Sequence, residues 1–176
     1  MLAVVLHEHG GSEKLLETDM PDPQPVPGEV LVRVEAVALN HLDIWVREGI
    51  PGLKLEYPHI LGSDIAGEVV GGGGGGEKVI VSPGLSCMRC RECLSGHDNL
   101  CRGYRILGES ARGGYAQYLC VPVANLVPRP PHLSAVEAAA FPLTMLTAWQ
   151  MLVRKARLVA GETVLLLGVG SGVGVA

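Results

Sequence analysis

The chain carries no excess of basic charge: 14 Lys and Arg stand against 18 Asp and Glu, a net charge of −4 with a pI near 5.8. That balance argues against nucleic acid or an anionic membrane surface as a partner. Nor is there a run of ~18 to 20 consecutive apolar residues, which a bilayer-spanning helix requires. The N-terminal MLAVVLHEHGG has no basic region before its apolar stretch and no small-residue cleavage site after it, so it reads as a first strand. Without a secretory leader, oxidised cysteine pairs are disfavoured, and the chain is expected to be soluble and cytoplasmic. What it does have is 176 residues, 48% of them hydrophobic, enough to bury a core without disulfide support. That length allows one large domain, or one domain and part of another.

Four of the five cysteines are concentrated. Cys87, Cys90, Cys93 and Cys101 fall within PGLSCMRCRECLSGHDNLC at spacings suited to an all-thiolate tetrahedral shell around Zn²⁺. The competing readings are disulfides or four unrelated thiols, and a reducing compartment favours the metal. Such a shell is closed, so this zinc is structural: it holds a loop and does not react. Arg89, Arg91 and Arg102 lie in the same turns and would offset its negative charge. The fifth cysteine, Cys120, lies in the apolar run YAQYLCVPV and is expected as a small buried hydrophobe.

The first two-thirds of the chain read as short strands divided by turns. After the proline-rich lead-in PDPQPVPG, Val30, Val32, Val34, Ala36 and Ala38 alternate with Leu31, Arg33, Glu35 and Val37, the period of a half-buried strand. Further strands are expected at Val4 to Leu6, Ile65 to Val70, Lys78 to Ser82 and Tyr115 to Val121, together a compact barrel-like β domain. Gly71 to Gly76 is an unbroken run of glycine; it reads as a replaced or unassigned segment or as a natural flexible loop. At Ser134 the pattern changes. Ser134 and Glu137 form a capping box ahead of AVEAAA, and Pro142 suits the first turn of the helix LTMLTAWQMLVRKA, with Met145 and Trp149 expected on its packed face. Thr163 to Leu167 then reads as an apolar, central parallel strand, followed at once by GVGSGVG.

These segments in this order resemble the medium-chain dehydrogenase/reductase superfamily, which contains zinc alcohol dehydrogenases and quinone oxidoreductases. The resemblance is carried by ALNHLDIWVREG at 38–49, PHILGSDIAGEV at 58–69, the four-cysteine lobe ending GHDNLC, GGYAQY, LSAVEAAAFPLTMLTAW and GETVLLLGVGSGVG. It implies a mixed β and α/β fold: a GroES-like β-barrel catalytic domain over 1–132 with a zinc lobe at 85–104, connecting helices over 133–160, and the first strand and Gly-rich turn of a Rossmann domain over 161–176. Family members run to about twice this length, so the chain is expected to stop inside that Rossmann domain, and the parent protein is expected to be a homo-oligomeric enzyme acting on a small-molecule carbonyl with NAD or NADP.

The resemblance also places the reacting centre. Where alcohol dehydrogenases of the family hold a catalytic zinc with Cys, His and Cys, this sequence has Asn40, Ser63 and Leu143. An amide, a hydroxyl and an alkyl chain do not replace two thiolates and an imidazole, so the catalytic zinc is expected to be absent. A substitute site from His41, Asp43, His59 and Asp64 is the weaker alternative. The pattern resembles the zinc-free quinone and enone reductases, although most of those lack the cysteine lobe. On this reading Asn40 donates to the developing oxyanion, as a catalytic residue. Asp43 acts beside it, as an acid or by orienting the loop, and His41 is a conceivable proton relay or an ordinary loop histidine. Thr147 corresponds to the family threonine near the nicotinamide. Gly168, Gly170, Ser171, Gly172 and Gly174 form the turn on which a pyrophosphate would lie, close to the A-x-x-G-x-x-G variant. An alcohol dehydrogenase, and a non-catalytic zinc-stabilised fragment or scaffold, are the alternatives.

Overall fold

The structure is a computed structural model describing all 176 residues. Strand β1 (Leu2–Leu6) pairs antiparallel with β2 (Leu16–Asp19) and β4 (His59–Ile60). A second, five-stranded sheet has the order β10-β6-β5-β3-β9, built from β3 (Glu29–Ala38), β5 (Asp64–Gly71), β6 (Lys78–Val81), β9 (Tyr118–Pro122) and β10 (Leu126–Pro128). The two sheets meet at a single antiparallel bridge between Ala3 and Ala116. The expected closed barrel is therefore not formed. No continuous ladder joins the two sheets, and β4 pairs with β1 over only two residues.

The core lies on one face of the five-stranded sheet. Val30 and Val32 of β3, Ile65 and Val69 of β5, Val79 and Val81 of β6, and Leu119 and Val121 of β9 form one buried cluster with Leu107. Ala66, Ile80 and the two alanines Ala138 and Ala139 form another on the opposite face, under α3 (Ala135–Ala139). Small residues on both sides of that contact let helix and sheet approach closely. Along β3 the even-numbered alternation holds only to Val34. The register shifts between Val34 and Ala36, leaving Glu35 as the extra residue of a bulge. Past it Val37 takes the core side, while Ala36 and Ala38 turn to the helix. A period of two cannot survive an inserted residue.

Helix α3 starts as expected, with the Ser134 N–H donating to the Glu137 carboxylate at 2.9 Å and the Glu137 N–H to Ser134 Oγ at 3.3 Å. Helix α4 (Pro142–Trp149) follows, running on into a wider π-helical turn at Gln150–Lys155. Trp149 is 61% exposed, not packed, and Cys120 is half-buried on β9, not sealed in the core. No helix is long and apolar enough to cross a membrane. The glycine run closes the β5–β6 connection, with Gly72, Gly73 and Gly76 at positive φ and the Gly76 N–H donating to Val69 O at 2.8 Å. Thr163 to Leu167 forms no strand and remains largely exposed. A parallel strand needs a neighbour to take its backbone groups, and none lies beside it.

Candidate functional site

Two features gather the predicted residues. The first is the cysteine lobe. It hangs from a two-stranded neck, β7 (Gly84–Leu85) paired with β8 (Arg105–Ile106). Asn125 clamps that neck, its Nδ2 donating to the Ser82 and Gly84 carbonyls at 2.8 and 2.7 Å. Inside the lobe, Cys90 and Cys93 lie one turn apart on the short helix α2 (Arg91–Leu94) that Cys90 opens, and Gly96 at φ +77° ends that turn. The sulfurs of Cys87, Cys90, Cys93 and Cys101 lie within 4.8 Å of one another, with Cys90 to Cys93 at 3.4 Å and Cys87 to Cys93 at 3.9 Å. A tetrahedral zinc with ~2.3 Å bonds sets its sulfurs about 3.8 Å apart. The donor set fits zinc in chemistry and in size. The backbone N–H groups of Arg89 and then Cys90 pull the Cys87 thiol down to about 6, towards the thiolate a metal needs.

The second feature is centred on Asp64, which is 1% exposed at the start of β5. Its Oδ2 accepts from Asn40 Nδ2 at 2.8 Å and its Oδ1 from the Leu143 backbone N–H at 2.6 Å. Asn40 is the residue that opens helix α1 (His41–Glu48), and Leu143 is in the first turn of α4. One carboxylate thus draws together Asn40 and Leu143, two of the three positions that the sequence resemblance places at the catalytic-metal ligands. The third, Ser63, is adjacent in sequence, fully buried, and spends its hydroxyl on the Leu107 carbonyl at 2.6 Å. Burial raises the Asp64 pKa and nearby Asp43 adds to the effect, while the bonds from Asn40 and Leu143 oppose it.

Asp43 is engaged on all sides. Its Oδ2 accepts from the Asn40 N–H at 2.7 Å and the Tyr115 hydroxyl at 3.0 Å, and its Oδ1 from the Gly62 N–H at 3.1 Å. These three donors tie the start of α1 to the Gly62 turn and to Tyr115. The substitute cluster is not assembled. His41 packs edge-on against Trp45 with ring centres 4.8 Å apart, and His59 Nε2 faces the Gly108 carbonyl. The four cysteines are the one group of three or more His, Cys, Asp or Glu side chains whose donor atoms gather.

Beside Leu143 a cleft of about 470 Å³ opens between the neck and α4, bordered by Pro83, Gly84, Leu146 and Thr147. Thr147 Oγ1 donates back to the Leu143 carbonyl at 2.7 Å. In the Gly-rich turn, Gly168 has φ +71° and a side chain at Gly174 would meet Gly168 O at 2.6 Å, so the fold there requires glycine. The turn bonds to itself through Ser171 N–H to Gly168 O and Gly174 N–H to Ser171 Oγ, both 3.0 Å. A side chain at Gly172 would meet Thr144 Cγ2 of α4 at 3.2 Å, which places the turn beside the helix that carries Thr147.

Comparison with known proteins now decides the family. The alcohol dehydrogenase GroES-like domain matches residues 26–131. The chain belongs to that family. Within the medium-chain dehydrogenase/reductase superfamily, similar proteins include the NAD-dependent alcohol dehydrogenase of Sulfolobus acidocaldarius, 34% identical over 99% of this chain and 53% of the relative. A quinone oxidoreductase of Pongo abelii is 31% identical over the whole chain and 48% of the relative. Among solved structures, one of an NAD-dependent alcohol dehydrogenase superposes with a TM-score of 0.95 at 52% identity, covering 99% of this chain and 53% of that one. A cobalt- and zinc-bound alcohol dehydrogenase from Pyrobaculum aerophilum superposes with a TM-score of 0.88 at 36% identity, covering 99% and 54%. The GroES-like chain thus spans about half the length of the relatives it matches.

The sequence missed how much rests on Asp64 and Tyr115. A carboxylate heading the apolar run DIAGEVV was the available signal, since a buried acid at the start of a core strand needs donors supplied from elsewhere.

Proposed function

We propose that this chain is the carbonyl-binding part of a nicotinamide-dependent oxidoreductase that delivers hydride to a quinone or α,β-unsaturated carbonyl without a catalytic zinc. The observation that carries the reading is the donor set around Asp64: an amide at Asn40, a spent hydroxyl at Ser63 and a backbone N–H at Leu143. None is a metal ligand of the kind zinc selects. Asn40 Nδ2 gives one proton to Asp64 and keeps a second for a substrate oxygen. A conjugated acceptor spreads the developing charge onto that oxygen, where a hydrogen bond is sufficient; an isolated aldehyde gains more from a Lewis acid. Asp43 acts here as a positioning residue, holding the Asn40 loop to Gly62 and Tyr115.

Bound NAD or NADP supplies the hydride. Thr147 and the turn of Gly168, Gly170, Ser171, Gly172 and Gly174 would hold its nicotinamide and pyrophosphate ends, the remainder of the site coming from the portion of the relatives this chain does not span. Zinc at Cys87, Cys90, Cys93 and Cys101 is structural. The whole protein is expected to be a cytoplasmic homo-oligomer.

A second reading, a zinc alcohol dehydrogenase, is supported by the names of the relatives. Metal content and substrate separate the two in the full-length gene product. The first expects about one zinc per chain, oxidation of NAD(P)H with a quinone or enone, and roughly a 10²-fold loss of rate in Asn40→Ala. Two zinc ions per chain with alcohol oxidation would replace it by the second.

A further inference from the structure

A larger cleft, about 880 Å³, opens on another part of the chain, between the N-terminal sheet and the loops that follow the neck. Lys54, Arg105 and Arg112 border it. None of the three is in an ion pair, so their charge is available to a ligand. Two acids share the border. Asp22 is held by the N-terminal ammonium at 2.8 Å, and Glu56 is unpaired, so three free cations face one free carboxylate.

His59 also borders the cleft and is 3% exposed. Its Nε2 lies 3.3 Å from the Gly108 carbonyl oxygen, which only accepts, so Nε2 carries the proton and Nδ1 presents a lone pair. No protein group donates to Nδ1, yet no fully buried side-chain nitrogen or oxygen lacks a partner. Nδ1 is therefore not fully enclosed, and His59 borders this cleft. Burial first, then the like charges of Arg112 and His9, hold the imidazole below its usual range against the bond to Gly108, so it is neutral at neutral pH.

We propose that this cleft binds a phosphate group that still carries a proton, as orthophosphate or as the monoanion of a phosphomonoester. The P–OH donates to His59 Nδ1, and the anionic oxygens accept from Arg105, Arg112 and Lys54. The volume exceeds what a bare phosphate fills, which leaves room for an ester group. Sulfate has the same shape and charge but no proton to give at neutral pH, so it sets a lone pair against the Nδ1 lone pair.

The test is a calorimetric titration of the zinc-loaded chain at neutral pH and constant ionic strength, with sodium phosphate, sodium sulfate and ribose 5-phosphate as probes. Phosphate is expected to bind saturably and shift the His59 ring ¹⁵N resonances, with sulfate at least about tenfold weaker, since one charge-assisted hydrogen bond is at stake. Arg112→Gln, at an exposed position, is expected to weaken phosphate by about tenfold on the same basis. Tighter binding of ribose 5-phosphate than of phosphate identifies a monoester as the occupant, and the reverse identifies orthophosphate. No saturable binding by either phosphate probe at tens of millimolar overturns the proposal, as does equal affinity for phosphate and sulfate. The discrimination is read on the unaltered protein, so it does not depend on a His59 variant folding.

Discussion

Asn40 and Asp64 are joined side chain to side chain, Nδ2 to Oδ2 at 2.8 Å, and the other Asp64 oxygen holds the Leu143 N–H at 2.6 Å. The carboxylate is thus a clasp between the α1 loop and the first turn of α4. Asp64→Ala removes it and leaves an amide and a buried N–H without partners, which costs about 2–4 kcal/mol. Asp64→Asn keeps the shape but cannot accept from both donors equally, and is milder. The pH dependence has a defined sign. A carboxyl whose folded pKa is raised favours the folded state below its unfolded pKa and loses that contribution as pH rises through the folded one. Urea unfolding is therefore expected to show Asp64→Asn comparing better with wild type at pH 8 than at pH 4. A difference that widens towards pH 8 would mean Asp64 is not a raised acid.

The cysteine lobe connects to the rest of the protein through few bonds: the neck, the Asn125 clamp and Ser63 Oγ to Leu107 O. The main core, Val30 to Val121, takes in Leu107 from that side, with half-buried Leu85 and Ala111 packed against it. Zinc removal by a chelator, or Cys93→Ser, is expected to release the order of residues 86–104, a loss on the order of 10 kcal/mol of metal binding. The sheet should persist. Hydrogen exchange checks this directly: lobe amides such as Leu94 and Cys101 lose protection, while Val32, Ile65 and Val121 keep theirs. Simultaneous loss in both regions would show that the metal supports the whole fold.

Gly62 and the loop 108–113 cross with their backbones in contact. A side chain at Gly108 would meet Gly62 N at 2.6 Å, and Gly108 itself has φ +78°. Gly52 has a similar φ of +85° but open space around it. Gly52→Ala should therefore cost only the left-handed penalty, about 1–2 kcal/mol, while Gly108→Ala costs that and the displacement of a backbone. Thermal unfolding of the two variants isolates the packing component. Equal losses would show that the crossing can open freely.

The parts of this fold legible in the sequence are those set by local chemistry. The capping box of Ser134 and Glu137, the proline opening α4 and the gathering of four thiols depend on residues close together in the chain. What the sequence did not show depends on distant partners. The bulge at Glu35 redirects half of β3, and its extra residue forms ion pairs with the distant Lys78 and Arg129. The role of Asp64 appears only when Asn40 and Leu143 are brought to it from opposite sides. Thr163 to Leu167 shows the converse: its apolar composition reads as a strand, but a parallel strand exists only where neighbours take its backbone groups.

Tyr115 offers the last test, because its hydroxyl joins the Asp43 carboxylate to the segment that follows the neck. Asp43 is 6% exposed and accepts from Asn40, Gly62 and Tyr115, so removing one donor leaves a buried charge less well satisfied. Tyr115→Phe keeps the ring in place over Gly62 and should cost about 1.5–3 kcal/mol, the range for a hydrogen bond to a charged group. Burial, followed by the Asp43 charge and the bond to it, raises the Tyr115 pKa well above the usual phenol value. For a phenol raised on folding, the stabilising contribution is complete below the unfolded pKa near ~10 and is lost as pH climbs towards the folded one. Wild type should therefore weaken as pH rises from 9 to 11, and Tyr115→Phe should weaken less over the same interval. Denaturant unfolding at the two pH values measures this, with the stability gap between the proteins narrowing as the solution becomes alkaline. A gap that stays constant would show that Tyr115 titrates alike in both states and that its bond to Asp43 carries no weight.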